Sequence, residues 1–318
     1  MNGSLGRREA PSGGIRLLII LAPPRCYTTL VCAMLGQHPQ MYGLPETHLW
    51  TSQTMEEWWM SHQGTDRTDG LSRAVAQIVF KGQTERTVRL AHQWLRRPHR
   101  STGDVLRALA NEVSPRVLVE KTPQATERIE HMQRIADQFP QVRFLHLLRH
   151  PFGQVLSRIE RRRKNLRKAS SAMDLVEAAQ KFGGADPQML WHRCNSNIVT
   201  FLDTVKSEHQ MRVRGEDLLA DPDRHLRQIA RWLDLRSDSE AIDSMQHPER
   251  SPFACFGPPN ARMGGGREFL STADISLRPA PAAKSRRSSA MADRWSRFCA
   301  QASAPGAASW LRLMAERL

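Results

Sequence analysis

RLLIILAPPRCYTTLVCAML, residues Arg16 to Leu35, is the stretch that decides the fold. Arg16–Leu21 is a short, largely apolar run ended by Ala22-Pro23-Pro24. A run of this kind reads as a buried parallel strand. Thr28 to Gln37 then carries Leu30, Val31, Met34 and Leu35 at helical spacing. The stretch is strand, tight loop, helix. Outward from it the same order recurs. Val117-Leu118-Val119 is a short strand ending in Glu120-Lys121-Thr122-Pro123, and a helix is expected from Ala125 to Phe139. Arg143–Leu148 is a strand, followed by Arg149-His150-Pro151 and a helix from Phe152. Gln210–Arg214 reads as a strand and Pro222–Leu233 as a helix. Strands alternating with helices predict an α/β domain, a central parallel sheet flanked by helices. Ligands of such sheets bind beyond the carboxyl ends of the strands. The loops at 22–28, 121–124 and 149–151 are therefore expected to converge if their strands are neighbours.

The chain has 318 residues, 40% hydrophobic and 25% charged, which is globular rather than disordered composition, and no repeat recurs at a fixed period. One domain is expected over 15–318, after a flexible tail at 1–14. Within it, 50–113 reads as a helical insertion rich in Trp, Gln, His and Arg, where Trp58-Trp59 packs. Residues 256–290, rich in Gly, Pro, Ala and Ser, read as a mobile loop or lid, and 291–318 as helices. The net charge of +14 favours anionic partners. The basic residues are spread along the chain and no recognised binding module appears, so a nucleic-acid partner is not expected. Five cysteines (Cys26, Cys32, Cys194, Cys255, Cys299) without a CxxC pair argue against a disulfide framework or a zinc site. Leu17–Ala22 is too short to span a bilayer and lacks a signal peptide's layout, so a cytoplasmic protein with no membrane partner is expected.

Two loops carry chemistry. Pro24-Arg25-Cys26-Tyr27-Thr28-Thr29 lies between strand and helix. Backbone N–H groups of Cys26 to Thr29, the hydroxyls of Thr28 and Thr29 and the charge of Arg25 can together form an anion site; an ordinary turn capped by Thr28 fits the same residues. A nucleoside-triphosphate loop needs Gly-x-x-x-x-Gly-Lys-Ser/Thr. That lysine and those glycines are absent, which disfavours a metal-assisted kinase. Arg149 leaves the end of a strand, and Ser157, two turns into the next helix, can face back toward it. A guanidinium plus a hydroxyl suits a terminal phosphate, while a surface arginine and an exposed helical serine suit the pattern too. Glu46 and His48, two positions apart, would face one side of an extended segment. A partly buried Glu46 with a raised pKa, or His48 near its ordinary value, could act as a base.

Taken in order, Arg16 to Leu35, His38-Pro39, Glu46, Arg149-His150-Pro151 with Ser157, and Arg214 to Leu235 (RGEDLLADPDRHLRQIARWLDL) resemble the sulfotransferases that use 3′-phosphoadenosine 5′-phosphosulfate (PAPS). Pro45-Glu46-Thr47-His48-Leu49 and Lys121-Thr122-Pro123 are similar to segments of the bacterial polyketide-pathway branch; tyrosylprotein sulfotransferases carry a glutamate base at the place of Glu46. The resemblance implies a P-loop-like sulfotransferase fold with helical insertions. It implies PAPS as co-substrate, adenosine 3′,5′-bisphosphate as product and no metal. The acceptor would be a hydroxyl of a small or carrier-protein-tethered metabolite. Arg25, Cys26, Tyr27, Thr28 and Thr29 would hold the 5′-phosphosulfate, and Arg149 and Ser157 the 3′-phosphate. Arg262, Gly265 and Arg267, around Gly264-Gly265-Gly266, would belong to a late loop closing over the nucleotide. Glu46 would be the base, His48 its partner or alternate, and Lys121 and Arg25 would stabilise the leaving oxygen. Cys26-Tyr27 stands where the family usually has Ser-Gly, so a hydroxyl contact is lost and a residue without glycine's freedom at positive φ is introduced. Gly215 replaces the usual tyrosine of Arg-Tyr-Glu-Asp, removing a packing or ligand contact. Alternatives are a P-loop-like nucleotide kinase and a nucleotide-binding but inactive homologue.

Overall fold

The computed structural model describes residues 14–168 and 187–271. The expected tail before Gly14, residues 272–290 of the expected lid, the helices expected over 291–318, and Cys299 lie outside the described residues. Five strands form one sheet: β1 Leu17–Leu21, β2 Met41–Gly43, β3 Val117–Lys121, β4 Arg143–Leu148 and β5 Gln210–Arg214. Their order is β2-β3-β1-β4-β5, and every pairing is parallel. The α/β class with a central parallel sheet is thus the observed architecture. All five residues of β1 are buried, so the strand reads as a continuous apolar run rather than an alternation. β2 is the one strand absent from the sequence reading; three residues, two of them only half-buried, leave too short a pattern.

The helices are α1 Thr28–Leu35, α2 Met55–His62, α3 Arg67–Val79, α4 Glu85–Leu95, α5 Thr102–Val113, α6 Ile129–Gln138, α7 Pro151–Lys168, α8 Pro187–Leu202, α9 Gly215–Ala220, α10 Pro222–Trp232, α11 Ser239–Met245 and α12 Arg267–Ser271. The helix expected from Ala125 to Phe139 is broken: Pro123–Glu127 is a 3-10 turn, and Arg128 is extended at φ −140° before α6 starts. Between residues 50 and 113, α2, α4 and α5 each begin on a capping box, with Thr54, Thr84 and Ser101 as caps. Trp58 is fully buried, edge-on to Trp59, and its indole N–H donates to the Thr47 carbonyl at 3.1 Å. Packing of α2 therefore also ties down the Glu46–His48 segment. Within 256–271, residues 259–261 form a 3-10 turn and 267–271 a helix.

β1 lies between β3 and β4, so the carboxyl ends of the three central strands are adjacent. The chain leaves β1 toward β2 and β3, then crosses to β4 and β5 on the opposite side. The crevice at such a switch point is where open α/β sheets bind ligands. Among the described residues no helix is long and apolar enough to cross a membrane.

Candidate active site

The residues at the ends of β1, β3 and β4 meet. After β1, Arg25 and Tyr27 both take left-handed backbone angles, φ 73° and φ 60°. Such a conformation costs a side-chain-bearing residue about 1–2 kcal/mol. The turn that glycine would supply freely is thus kept with tyrosine in place. Tyr27, not Thr28, is the N-cap of α1, and no side chain caps the helix. The first amides of α1 are left for other acceptors. The Thr28 capping alternative is set aside by this geometry. Cys26 is fully buried, and burial pushes its thiol far above the ordinary range despite Arg149 and Arg25 nearby. Cys26 is a neutral thiol that can offer a ligand only its backbone.

Arg25 reaches across to α7, where its Nε donates to Ser157 Oγ at 3.0 Å. Its Nη2 pairs with Glu268 Oε2 at 2.5 Å. Arg149, at the end of β4, donates from Nη1 to the Arg25 carbonyl at 2.6 Å, and its guanidinium carbon lies 4.1 Å from the Tyr27 ring centroid. Ser157 therefore faces this cluster as a partner of Arg25 rather than of Arg149. Arg149 Nε is buried and has no hydrogen-bond partner among the described residues. A buried cationic donor left open is costly unless an anion completes it.

On the β3 side, Lys121 is 1% exposed. Its Nζ donates to Thr29 Oγ1 at 2.8 Å and to Glu46 Oε1 at 2.5 Å. Glu46 keeps 23% of its side chain accessible, against 5% for His48. Burial raises the Glu46 pKa, but Lys121 and then His48 outweigh it, and the carboxyl titrates below its ordinary value. Burial pushes His48 down to about 4, against the pull of Glu46. Both results differ from the raised Glu46 and ordinary His48 expected from sequence. The reason is tertiary: a lysine is buried against the glutamate, and the imidazole is enclosed. His48 sits at φ 55°, which turns its ring back until Nε2 lies 3.9 Å from Glu46 Oε2, beyond hydrogen-bond reach. Below this pair, fully buried Glu120 accepts from Thr47 Oγ1 at 2.7 Å and Thr122 Oγ1 at 2.6 Å. Thr122 Oγ1 in turn accepts from the His48 amide at 3.1 Å. Glu120 thus fixes both loops that carry Glu46, His48 and Lys121, a support that no sequence pattern marked.

The strap at 255–266 closes one side. The Gly266 amide donates to Thr29 Oγ1 at 3.3 Å, and a Cβ built on Gly265 would stand 3.0 Å from Thr29 Cγ2. The Glu46 amide donates to the Gly264 carbonyl at 2.7 Å. Arg73, fully buried on α3, holds this strap through the carbonyls of Met263 and Cys255, each at 2.9 Å. Arg262 and Arg267 are exposed, and Arg262 stacks on Phe256 at 4.8 Å; neither is brought into the Arg25–Arg149 cluster by a hydrogen bond or ion pair among the described residues. Arg161, one turn after Ser157 on α7, lies in the field of Arg25 and Glu46; burial and then Arg25 hold its pKa below the ordinary value. Arg161 was not among the candidate residues singled out in the sequence. The i, i+4 spacing of Ser157 and Arg161 was the available signal.

A cluster at the ends of three parallel strands, with a glutamate–lysine pair on one side and two arginines on the other, has the parts for handling an anionic group beside a hydroxyl. A sequence profile described as the sulfotransferase family matches residues 18–239. The chain belongs to the sulfotransferase family. Its fold is similar to that of the sulfotransferase domain from the curacin biosynthetic pathway, at TM-score 0.63 and 22% identity over 89% of this chain and 99% of that one. The sulfotransferase domain from the Synechococcus PCC 7002 olefin synthase is similar too, at TM-score 0.63 and 22% identity over 91% of this chain and 98% of that one. No curated protein sequence matches this sulfotransferase. The matched span holds Arg25, Glu46, Lys121, Arg149 and Ser157, while the strap from 255 lies beyond it.

Proposed function

We propose that this sulfotransferase transfers a sulfuryl group from PAPS to a hydroxyl of a small or carrier-tethered secondary metabolite in the cytoplasm, releasing a sulfate ester and adenosine 3′,5′-bisphosphate. The carrying observation is the convergence of Arg25, Ser157 and Arg149 with Thr29, Lys121 and Glu46 at the ends of β1, β3 and β4. The unpartnered Nε of half-buried Arg149 leaves a cationic donor for a phosphate, and the uncapped start of α1 fits the 5′ anion. The pathway settings of the similar structures support a metabolite acceptor.

PAPS, when bound, supplies a sulfuryl group on an anionic leaving group. Glu46, ionised and partly accessible, accepts the proton of the acceptor hydroxyl as its oxygen bonds to sulfur and the bond to the bridging oxygen breaks. Lys121 already spans Thr29 on the anion loop and Glu46 on the acceptor side. It orients the base and meets charge developing on the leaving oxygen, with Arg25 as second cation. His48, neutral and enclosed, positions the Glu46 segment. No metal enters this reading.

The test is calorimetric titration with adenosine 3′,5′-bisphosphate, followed by a labelled-PAPS screen of hydroxylated metabolites and acyl-carrier substrates. Arg149→Ala should weaken bisphosphate binding by about tenfold to a hundredfold. Absence of any nucleotide binding to the intact chain would overturn the reading. A second reading, a homologue that binds nucleotide without turnover, rests on buried Cys26, whose side chain contributes nothing to the anion loop; binding without transfer to any acceptor would favour it.

A further inference from the structure

Tyr27 is one of only two tyrosines in the chain, and it occupies a left-handed position that favours glycine. Its ring fills a particular space. A Cβ built on Gly215, the first residue of α9 after β5, would stand 2.6 Å from Tyr27 Cδ2 and 3.2 Å from Cε2. It would also stand 3.2 Å from the Leu148 carbonyl. A side chain at 215 and a ring at 27 are therefore mutually exclusive. The two positions are therefore linked in space: the Tyr27 ring, from the loop after β1, fills the room left by the missing side chain at the end of β5.

The ring does more than fill space. Arg149 lies over it, with Cζ 4.1 Å from the centroid. The same guanidinium is held by the Arg25 carbonyl at 2.6 Å and lies against Gly153, where a Cβ would come within 3.3 Å of Nε. These contacts leave Arg149 Nε directed to no protein acceptor among the described residues. Tyr27 belongs to the same loop as Arg25 and Thr29, so the platform under Arg149 is covalently continuous with the residues that contact Ser157 and Lys121.

We propose that Tyr27 is the positioning residue that aims Arg149, and that Gly215 exists to admit its ring, so that recognition of the nucleotide's 3′-phosphate depends on this exchanged pair. This rests on the donor reading above. The test is titration of the intact chain with adenosine 3′,5′-bisphosphate and with adenosine 5′-phosphate. The readout is the ratio of the two affinities, which a general loss of stability would leave unchanged. Tyr27→Gly should reduce that ratio by about tenfold, the range of a desolvated cation–ring contact. Tyr27→Phe should keep most of it, because the ring face that supports the guanidinium stays and only the hydroxyl's contact with Arg149 is lost. Gly215→Tyr combined with Tyr27→Gly should restore it to within about threefold of the starting ratio, since a ring on 215 enters the same space. An unchanged ratio in Tyr27→Gly, or no recovery in the combined variant, overturns the proposal. If the intact chain binds neither nucleotide, the donor reading fails. The spatial link itself is then decided by melting temperatures: Gly215→Ala should lower the melting point of the starting protein more than that of Tyr27→Gly, where only the approach to the Leu148 carbonyl remains, and equal losses in both would sink it.

Discussion

At the scale of single residues, the chemistry depends on a glutamate that stays charged. Lys121 sits 2.5 Å from Glu46, and together with His48 it keeps the carboxyl below its ordinary pKa against the effect of burial. The carboxylate is therefore present throughout the neutral range, and its protonation cannot set an acid limb of kcat/KM near neutrality. We predict that Glu46→Gln leaves bisphosphate affinity within about twofold but lowers turnover by about 100-fold to 10,000-fold; full turnover in this variant would remove Glu46 as the base. Glu120 works one step back. Removing its acceptor in Glu120→Ala should raise KM and lower kcat together by loosening Thr47 and Thr122, whereas Glu120→Gln, which keeps a carbonyl acceptor, should recover most of the loss.

At the scale of elements, α3 and the strap form a clamp on the site. Arg73 offers its donors to the Met263 and Cys255 carbonyls and to Gln83, and Asp69 Oδ2 accepts from the Met263 amide at 2.8 Å. Gly70 lets the Glu46 segment and the strap approach: a Cβ there would stand 1.8 Å from the Glu46 carbonyl oxygen and 3.2 Å from Gly264 Cα. Arg73→Met should cost about 2–4 kcal/mol in denaturant unfolding, because buried carbonyls lose charged donors. It should also raise both the donor and the acceptor KM, since Gly266 touches Thr29 on the anion loop and Gly264 touches Glu46 on the acceptor side. An unaltered donor KM would show that the strap is not part of the donor site.

At the scale of the whole molecule, the fold is sensitive to acid through histidines outside the anion loop. His146, fully buried in β4 with Nε2 at 3.0 Å from Asn195 Oδ1, is pushed down to about 4 by burial. His48 reaches about 4 for the same cause. Their unfolded counterparts titrate near about 6.5. The unfolded chain thus binds protons first as pH falls, so this stability is complete above about pH 6.5 and is lost on acidification toward about pH 4. Each group corresponds to about 3 kcal/mol across that window. Melting temperature should fall steadily over this range, and His146→Leu should flatten the slope even if it lowers the plateau. An unchanged slope would exclude His146 as a contributor.

β1, β3 and β4 were legible because each carries an apolar run closed by a proline or a charge, and runs of that kind have few other destinations than a parallel sheet. Arg25 and Arg149 were legible as candidates because they stand where such runs end, and Ser157 by its distance from the second of those ends; the roles of Glu46 and Lys121 came from the resemblance to a family. What local sequence could not carry is the outcome of burial and proximity. Lys121 next to Glu46, His48 enclosed below its ordinary pKa, Glu120 bracing two loops, and Arg73 holding the strap 182 and 190 residues away all join segments with no shared periodicity. Tyr27 and Gly215 show the division most plainly. As sequence, each is a separate departure from a family pattern; in three dimensions one ring occupies the space the other residue vacates, because only the sheet order brings the ends of β1, β4 and β5 to the same crevice.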